Sequence, residues 1–282
     1  MTDPNEYKAH ISETFTRASS TYDQVGPPFF SYFGEKLVEF GKPAAGSQVL
    51  DIACGKGAVL FPAAEAVSDA GAVVGIDLSE GMIMELQKEI RRRDIDNVEA
   101  MVMDAENLEF SNSRFDHVFC GLCLFFFPDL SKALREFYRV LRPGGFIIAS
   151  TFKRLPDSVF DSAMRDLVKS FEDRVEDAPE AETTQLDSPS KIGEEMNGAG
   201  FGEVDVRARR KTFHYQDPAE WWRTAWSHGQ RGFLDRILPE FLPEFESRAI
   251  EIAKKGTTER GIQFRWDLLF ASARKPLDKA AR

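Results

Sequence analysis

The sequence predicts an α/β protein: a doubly wound, seven-stranded, mostly parallel sheet, with N-terminal helices before it and a helical C-terminal lid. Three observations carry that expectation. Between residues 48 and 152, short β-branched or apolar runs alternate with amphipathic helical patterns, as successive βαβ units require. The first run ends in an acidic residue and opens into a glycine-bearing turn, where open α/β sheets place ligands. Finally, 282 residues, 43% hydrophobic and 29% charged, can bury a large core without disulfide staples.

Each element has its own local reason. Ile11, Phe15, Ala18 and Tyr22 form an apolar stripe at helical spacing, and Pro27-Pro28 opens a second helix bearing Phe29, Phe33 and Leu37. Strands are expected at 48–53, 73–77, 98–102, 116–121 and 145–151. After the second strand Ser79 offers an N-cap, Met82, Leu86 and Ile90 recur on one face, and Arg91–Arg93 complement the helix dipole. A helix over 131–142 carries Leu134, Phe137, Tyr138 and Leu141, and Pro143-Gly144-Gly145 stops it. The stretch 172–190 is acidic and lacks apolar periodicity, so a solvated loop is expected there. Ser188-Pro189 then starts a helix that Gly200 ends, strands follow at 202–207 and 267–275, and the Trp- and Phe-rich part 218–256 is helical. The expected division is an N-terminal cover over 1–45, a core over 46–152, and the rest of the sheet with the inserted lid over 153–282.

Composition narrows the function. A formal charge of −10 argues against coating a polyanion, where Lys and Arg must neutralise phosphates. Three cysteines, Cys54, Cys120 and Cys123, make neither a disulfide framework nor a zinc spacing, so a reducing, cytoplasmic setting and no metal are expected. The start MTDPNEYK has no secretory pattern, and the longest apolar run, 118–127, is far short of the roughly 20 residues of a spanning helix.

The chemistry is concentrated in VLDIACGKGAVL (49–60): an apolar strand ending in Asp51, then Gly55 and Gly57, then a helix start. Glycine lets backbone approach a ligand where a Cβ would block it. The next strand ends in Asp77, placed to accept ribose hydroxyls, so a nucleoside ligand is implied. Leu60 stands where a nicotinamide fingerprint wants its third glycine, which counts against pyrophosphate binding.

The pattern D-x-x-x-G-x-G, with VMDAENLEF (102–110), FDHVFCGLCLFFFPD (115–129) and ALREFYRVLRPGGFIIAS (133–150), resembles the class I S-adenosylmethionine-dependent methyltransferases. The last motif is similar to that of the ubiquinone and menaquinone C-methyltransferases. The resemblance implies a Rossmann-like core that binds S-adenosylmethionine. It places Ala53, Gly55 and Gly57 against the methionine part, Asp77 on the ribose, Leu78 and Met82 on the adenine, and Asp104 and Ala105 at its polar edge. Cys120 would offer its carbonyl to the methionine amino group, and Asp51 would reach that group through water or orient the loop. Tyr22 resembles an aromatic that folds over the cofactor, where a ring beside a sulfonium gains cation–π energy; as a continuation of the apolar stripe it would be a core tyrosine instead.

Methyl transfer needs proximity in a dry site, and a base only for acceptors that must lose a proton. His228, in the Trp-bearing part, is the candidate base, and Tyr22 is a second candidate catalytic residue. Phe30, Phe33, Phe125, Trp222 and Trp226 are candidate acceptor contacts, and the three phenylalanines belong to an unusually large total of 24. The expectation is methylation of a small, largely apolar acceptor such as a quinone precursor, isoprenoid or other secondary metabolite, with no nucleic-acid partner and with homo-oligomerisation open. The alternatives are an S-adenosylmethionine-binding enzyme catalysing a cyclisation or other non-methylating step, and a nicotinamide-dependent oxidoreductase. On this reading Asp77→Ala weakens cofactor binding without unfolding the protein.

Overall fold

Helix α1 (Pro4–Ala18) starts where its sequence provides a cap: Asp3 accepts the Asn5 N–H at 2.9 Å and Pro4 takes the first turn. It ends four residues before Tyr22. The Ser19 and Thr21 hydroxyls donate to the Thr16 and Ala18 carbonyls, at 2.9 and 3.4 Å, a local bonding that competes with helix propagation. Tyr22 therefore sits in a turn, and the expected stripe stops at Ala18. The computed structural model describes residues 3–154, 158–258 and 261–277.

The chain continues through α2 (Phe29–Gly41), β1 (Gln48–Ile52), α3 (Leu60–Val67), β2 (Ala72–Asp77), α4 (Glu80–Arg93), β3 (Val98–Val102), β4 (Phe115–Gly121), α5 (Leu130–Val140) and β5 (Leu141–Phe152). Then come α6 (Val159–Lys169), α7 (Pro189–Gly198), β6 (Gly202–Tyr215), α8 (Pro218–Trp226), α9 (Arg231–Leu234), α10 (Leu242–Lys255), β7 (Thr257–Thr258) and β8 (Gly261–Arg274). The sheet order is β3-β2-β1-β4-β5-β8-β6, with the two-residue β7 paired to β8. The first five strands run parallel and β8 is antiparallel to β5. Two compact units share the chain. The larger comprises Phe30–Arg154, Glu182–Arg209 and Asp267–Arg282; the smaller comprises Met1–Phe29, Leu155–Ala181 and Arg210–Trp266.

In the larger unit Leu50, Ile52, Val118 and Ile147 are fully buried and pack with Leu134, Phe137 and Val140 of α5. Burying a side chain of that size contributes about 1.5–3 kcal/mol each. Pro143-Gly144-Gly145 does not separate helix from strand as expected. Pairing starts at Leu141, opposite Phe115, and resumes at Phe146 opposite His117, so the intervening residues bulge, with Gly144 at φ +85°. Strand β6 runs eight residues beyond its expected end because its charges tolerate a sheet edge: Arg207 and Arg209 lie 5.6 and 6.0 Å from the Phe40 ring. Strand β8 begins six residues before its expected start, where Ile262, Phe264 and Trp266 alternate with polar residues.

In the smaller unit α6, α8, α9 and α10 enclose Leu167, Phe171, Trp222, Leu234, Phe245 and Ala249. The expected solvated loop is partly tied down: Val175 bridges to Ile237, and the Glu176 N–H donates to the Arg236 carbonyl at 2.8 Å. Further along, in the larger unit, Leu186 is buried in the sheet core.

Candidate active site

Parallel register brings the carboxyl ends of five strands to one edge. Ile52 lies opposite both Ile76 and Cys120, Asp77 opposite Val102, and Gly121 opposite Ser150. Nearly all of the residues expected to hold the cofactor, Asp51, Ala53, Gly55, Gly57, Asp77, Leu78, Met82, Asp104, Ala105 and Cys120, belong to strands ending there or to the segments that follow. Tyr22 is in the smaller unit.

Asp51 is 1% exposed, and its Oδ2 has no hydrogen-bond partner. Burial and the nearby Asp77 push its carboxyl well above the usual range, partly offset by the Leu60 backbone N–H. Asp77 is engaged on both oxygens: Oδ2 accepts the Gly55 N–H at 2.9 Å and Oδ1 the Ser79 N–H at 2.8 Å. Burial raises its pKa, and the backbone donors of Ser79, Gly55 and Leu78 oppose the rise. A carboxylate offers about four lone-pair sites, so capacity remains for a ligand hydroxyl. The side chain also clasps the glycine loop to β2, so its carboxylate has a structural role beside the expected ligand-binding one.

The loop itself turns through left-handed conformations: Ala53 at φ +51°, Gly55 at +51° and Gly57 at +90°. A Cβ on Gly57 would come within 2.6 Å of the Phe61 ring and 2.9 Å of Leu86. Ala53 holds a conformation that explains why glycine suits its place. Ser79 caps α4 as expected, accepting the Met82 N–H at 3.2 Å, and Met82 is buried. Asp104 shapes its own turn by accepting the Glu106 N–H at 2.9 Å and the Asn107 side-chain N–H at 3.0 Å, with Ala105 buried beside it. Cys120 and Cys123 bring their sulfurs to 2.8 Å, and Cys123 lies 3.7 Å from the Ile52 carbonyl. Burial raises the Cys54 and Cys123 thiols well above their usual range, which disfavours thiolate chemistry.

The aromatic candidates divide. Phe33 is 2% exposed and packs edge-on to Phe270 in the sheet core, whereas Phe30 and Phe125 are half-buried. Trp222 lies within the smaller unit's core against Phe245, with Trp226 edge-on at 6.1 Å. Within that unit the structure also brings Tyr22 and His228 together, ring centroids 5.7 Å apart. Burial lowers the His228 pKa to about 4, so the imidazole is neutral near pH 7. His117 is remote from the strand edge, at the start of β4, stacked between Phe119 and Phe146.

Three residues at or near the edge escaped sequence reasoning. Gly34 of α2 lies so close to the glycine loop that a Cβ would meet the Ala58 carbonyl. Glu106 and Ser150 are buried polar side chains after β3 and near the end of β5. No periodicity or motif marks their roles, since each depends on a partner distant in sequence.

An α/β enzyme that holds a nucleoside cofactor at the carboxyl edge of its sheet is the class these features define. Residues 49–145 match the methyltransferase domain family. The chain is 43% identical over 159 residues to aklanonic acid methyltransferase DauC of Streptomyces sp. (strain C5), which covers 54% of this chain and 72% of that protein. Over 244 residues it is 31% identical to nocamycin O-methyltransferase of Saccharothrix syringae, 80% of this chain and 84% of that one. The crystal structure of a candidate methyltransferase from Bacillus halodurans C-125 aligns with a TM-score of 0.57 and 25% identity over 86% of this chain and 98% of its own. The chain belongs to the class I S-adenosylmethionine-dependent methyltransferases, and it transfers the methyl group of that cofactor to a small, largely apolar organic acceptor. No helix among the described residues is long and apolar enough to cross a membrane.

Proposed function

We propose that the cofactor lies along the carboxyl edge of β1, β2 and β4 and that the acceptor is an oxygen of an apolar secondary metabolite. The observation that carries the cofactor assignment is the pairing of a buried, unpartnered Asp51 Oδ2 with a loop clasped by Asp77. The orphaned oxygen suits the methionine ammonium, directly or through water, and the turn at Ala53, Gly55 and Gly57 leaves backbone open to the methionine part. Asp77 would hold the ribose with its remaining acceptor capacity, Leu78 and Met82 would flank the adenine, Asp104 and Ala105 would meet its polar edge, and the Cys120 carbonyl would take a second ammonium proton.

When bound, S-adenosylmethionine supplies a methyl group already activated by its sulfonium. The chain's own work is then to orient the acceptor and exclude water. Oxygen as the accepting atom follows the name of one relative, an O-methyltransferase. Burial keeps the His228 imidazole neutral near pH 7, the proton-accepting state. Tyr22, edge-on to it, would fix the ring plane.

Calorimetry with S-adenosylmethionine, S-adenosylhomocysteine and NAD tests the cofactor. Incubation with methyl-labelled cofactor and a panel of aromatic polyketide acids and quinols tests the acceptor. Binding of NAD alone, or label carried on carbon or nitrogen, would defeat the respective parts.

A further inference from the structure

Two buried polar side chains at the strand edge have no part in the cofactor assignment: Ser150, 3% exposed, and Glu106, 4% exposed. Both act on residues 122–129, the segment that follows β4. At its start the Leu122 N–H donates to the Ser150 hydroxyl and to the Ser150 carbonyl, each at 3.1 Å. Leu122 is at φ +57°, a left-handed conformation that a branched, bulky side chain avoids unless its surroundings impose it. At the far end Glu106 Oε1 accepts the Asp129 N–H at 3.1 Å, just before Asp129 caps α5 by accepting the Lys132 N–H at 2.8 Å.

Between the two pins lies a 3-10 turn, Leu124–Phe126, with Leu124 buried and Phe125 and Phe126 half-buried, their rings 4.8 Å apart. Phe125 also lies 5.6 Å from Phe152 at the end of β5. The pins come from two other elements, and one of them is shared with the proposed cofactor site, because the turn that holds Glu106 also holds Asp104 and Ala105. Asp104 accepts the Glu106 N–H.

We propose that Ser150 and Glu106 are positioning residues that preset residues 122–129 as an apolar wall for the methyl acceptor, with Glu106 linking that wall to the turn proposed to meet the adenine. The proposal rests on the methyl-transfer reading above. A ligand ordering the 104–107 turn would then order the wall as well, so cofactor and acceptor bind with positive coupling.

The test compares the full-length chain with Ser150→Ala, Glu106→Ala and Glu106→Gln. Glu106→Gln keeps an oxygen acceptor for Asp129. Amide hydrogen exchange of residues 122–129 is expected to rise about tenfold in both alanine variants and to stay near wild type in Glu106→Gln. Calorimetry should place S-adenosylhomocysteine affinity within about threefold of wild type in all three. With aklanonic acid as acceptor probe, and whichever panel member takes label if it does not, kcat/KM should fall about tenfold or more in the alanine variants and recover in Glu106→Gln. Unchanged exchange, or a loss of S-adenosylhomocysteine affinity as large as the loss of turnover, would overturn the positioning role. Failure of the wild-type chain to bind S-adenosylhomocysteine would overturn the reading beneath it, and the exchange measurement distinguishes the two failures because it needs no ligand.

Discussion

Replacing Gly34 by alanine sets two effects of opposite sign against each other. Gly34 occupies the middle of α2, where alanine gains about 1 kcal/mol of intrinsic helix propensity over glycine. The new Cβ, however, would overlap the Ala58 carbonyl oxygen and lie 2.5 Å from its carbon and 3.1 Å from the Ala58 Cβ. Ordinary contact distances require helix and loop to separate by about 1 Å, and overpacking of that kind costs about 1–3 kcal/mol. The atoms in the way are backbone, so no side-chain rotation relieves them. The expected net effect is a loss of up to about 2 kcal/mol, a fall in thermal midpoint of up to about 8 °C at roughly 2–4 °C per kcal/mol. Displacement of the glycine loop should also weaken S-adenosylhomocysteine binding about tenfold. Differential scanning fluorimetry and calorimetry read both. A midpoint that rises with affinity unchanged would refute the close approach, leaving Gly34 an ordinary helical glycine.

Asp77→Ala should lose cofactor affinity and also about 1–3 kcal/mol of stability, since the Gly55 and Ser79 amides lose their acceptor; wild-type affinity in calorimetry would dismiss the ribose role. For His228, the depressed pKa means the unfolded chain binds more protons between about 4 and 6.5, so stability rises with pH across that window and is lost as pH falls through it. The difference in urea stability between wild type and His228→Gln should therefore vary by up to about 3 kcal/mol over that range, and a pH-independent difference would contradict the buried neutral state. Ala53→Gly relieves a left-handed alanine by about 1–2 kcal/mol but frees the unfolded chain by about 0.4–1 kcal/mol and removes a half-buried methyl. Stability should hold or rise by up to about 1 kcal/mol, whereas a drop in urea midpoint would show the strain to be absent.

The parallel strands were legible because each is short, apolar and bounded by turn residues, and the glycine loop because Asp51, Gly55, Gly57 and Asp77 fall at fixed places relative to two strand ends. Local pattern misjudged Tyr22, where serine and threonine hydroxyls stop the helix although the apolar spacing continues. It also shortened β6, whose arginines resemble a solvated tail until their stacking on Phe40 is seen. Asp77 illustrates a deeper limit: its ligand-facing role follows from position, but its hold on Gly55 links residues 22 apart. Gly34, Ser150 and Glu106 escaped for the same reason. The phenylalanine excess resolves by place as well: Phe29 packs on Phe213 and Trp266, and Phe33 on Phe270, while Phe30 and Phe125 to Phe127 stay half-exposed.

The sheet order gives chain growth a particular hazard. Strand β8 is made last yet fills the slot between β5 and β6. Until it arrives, Ile147, Ile148 and Ala149, all fully or almost fully buried in the finished protein, lie on an open edge with unpaired backbone groups. A nascent chain stopped before Asp267 would present that edge to its neighbours, so C-terminally truncated forms should accumulate as aggregates. The last strand thus closes the sheet, whose apolar centre is secured only once residues 267–274 have been made.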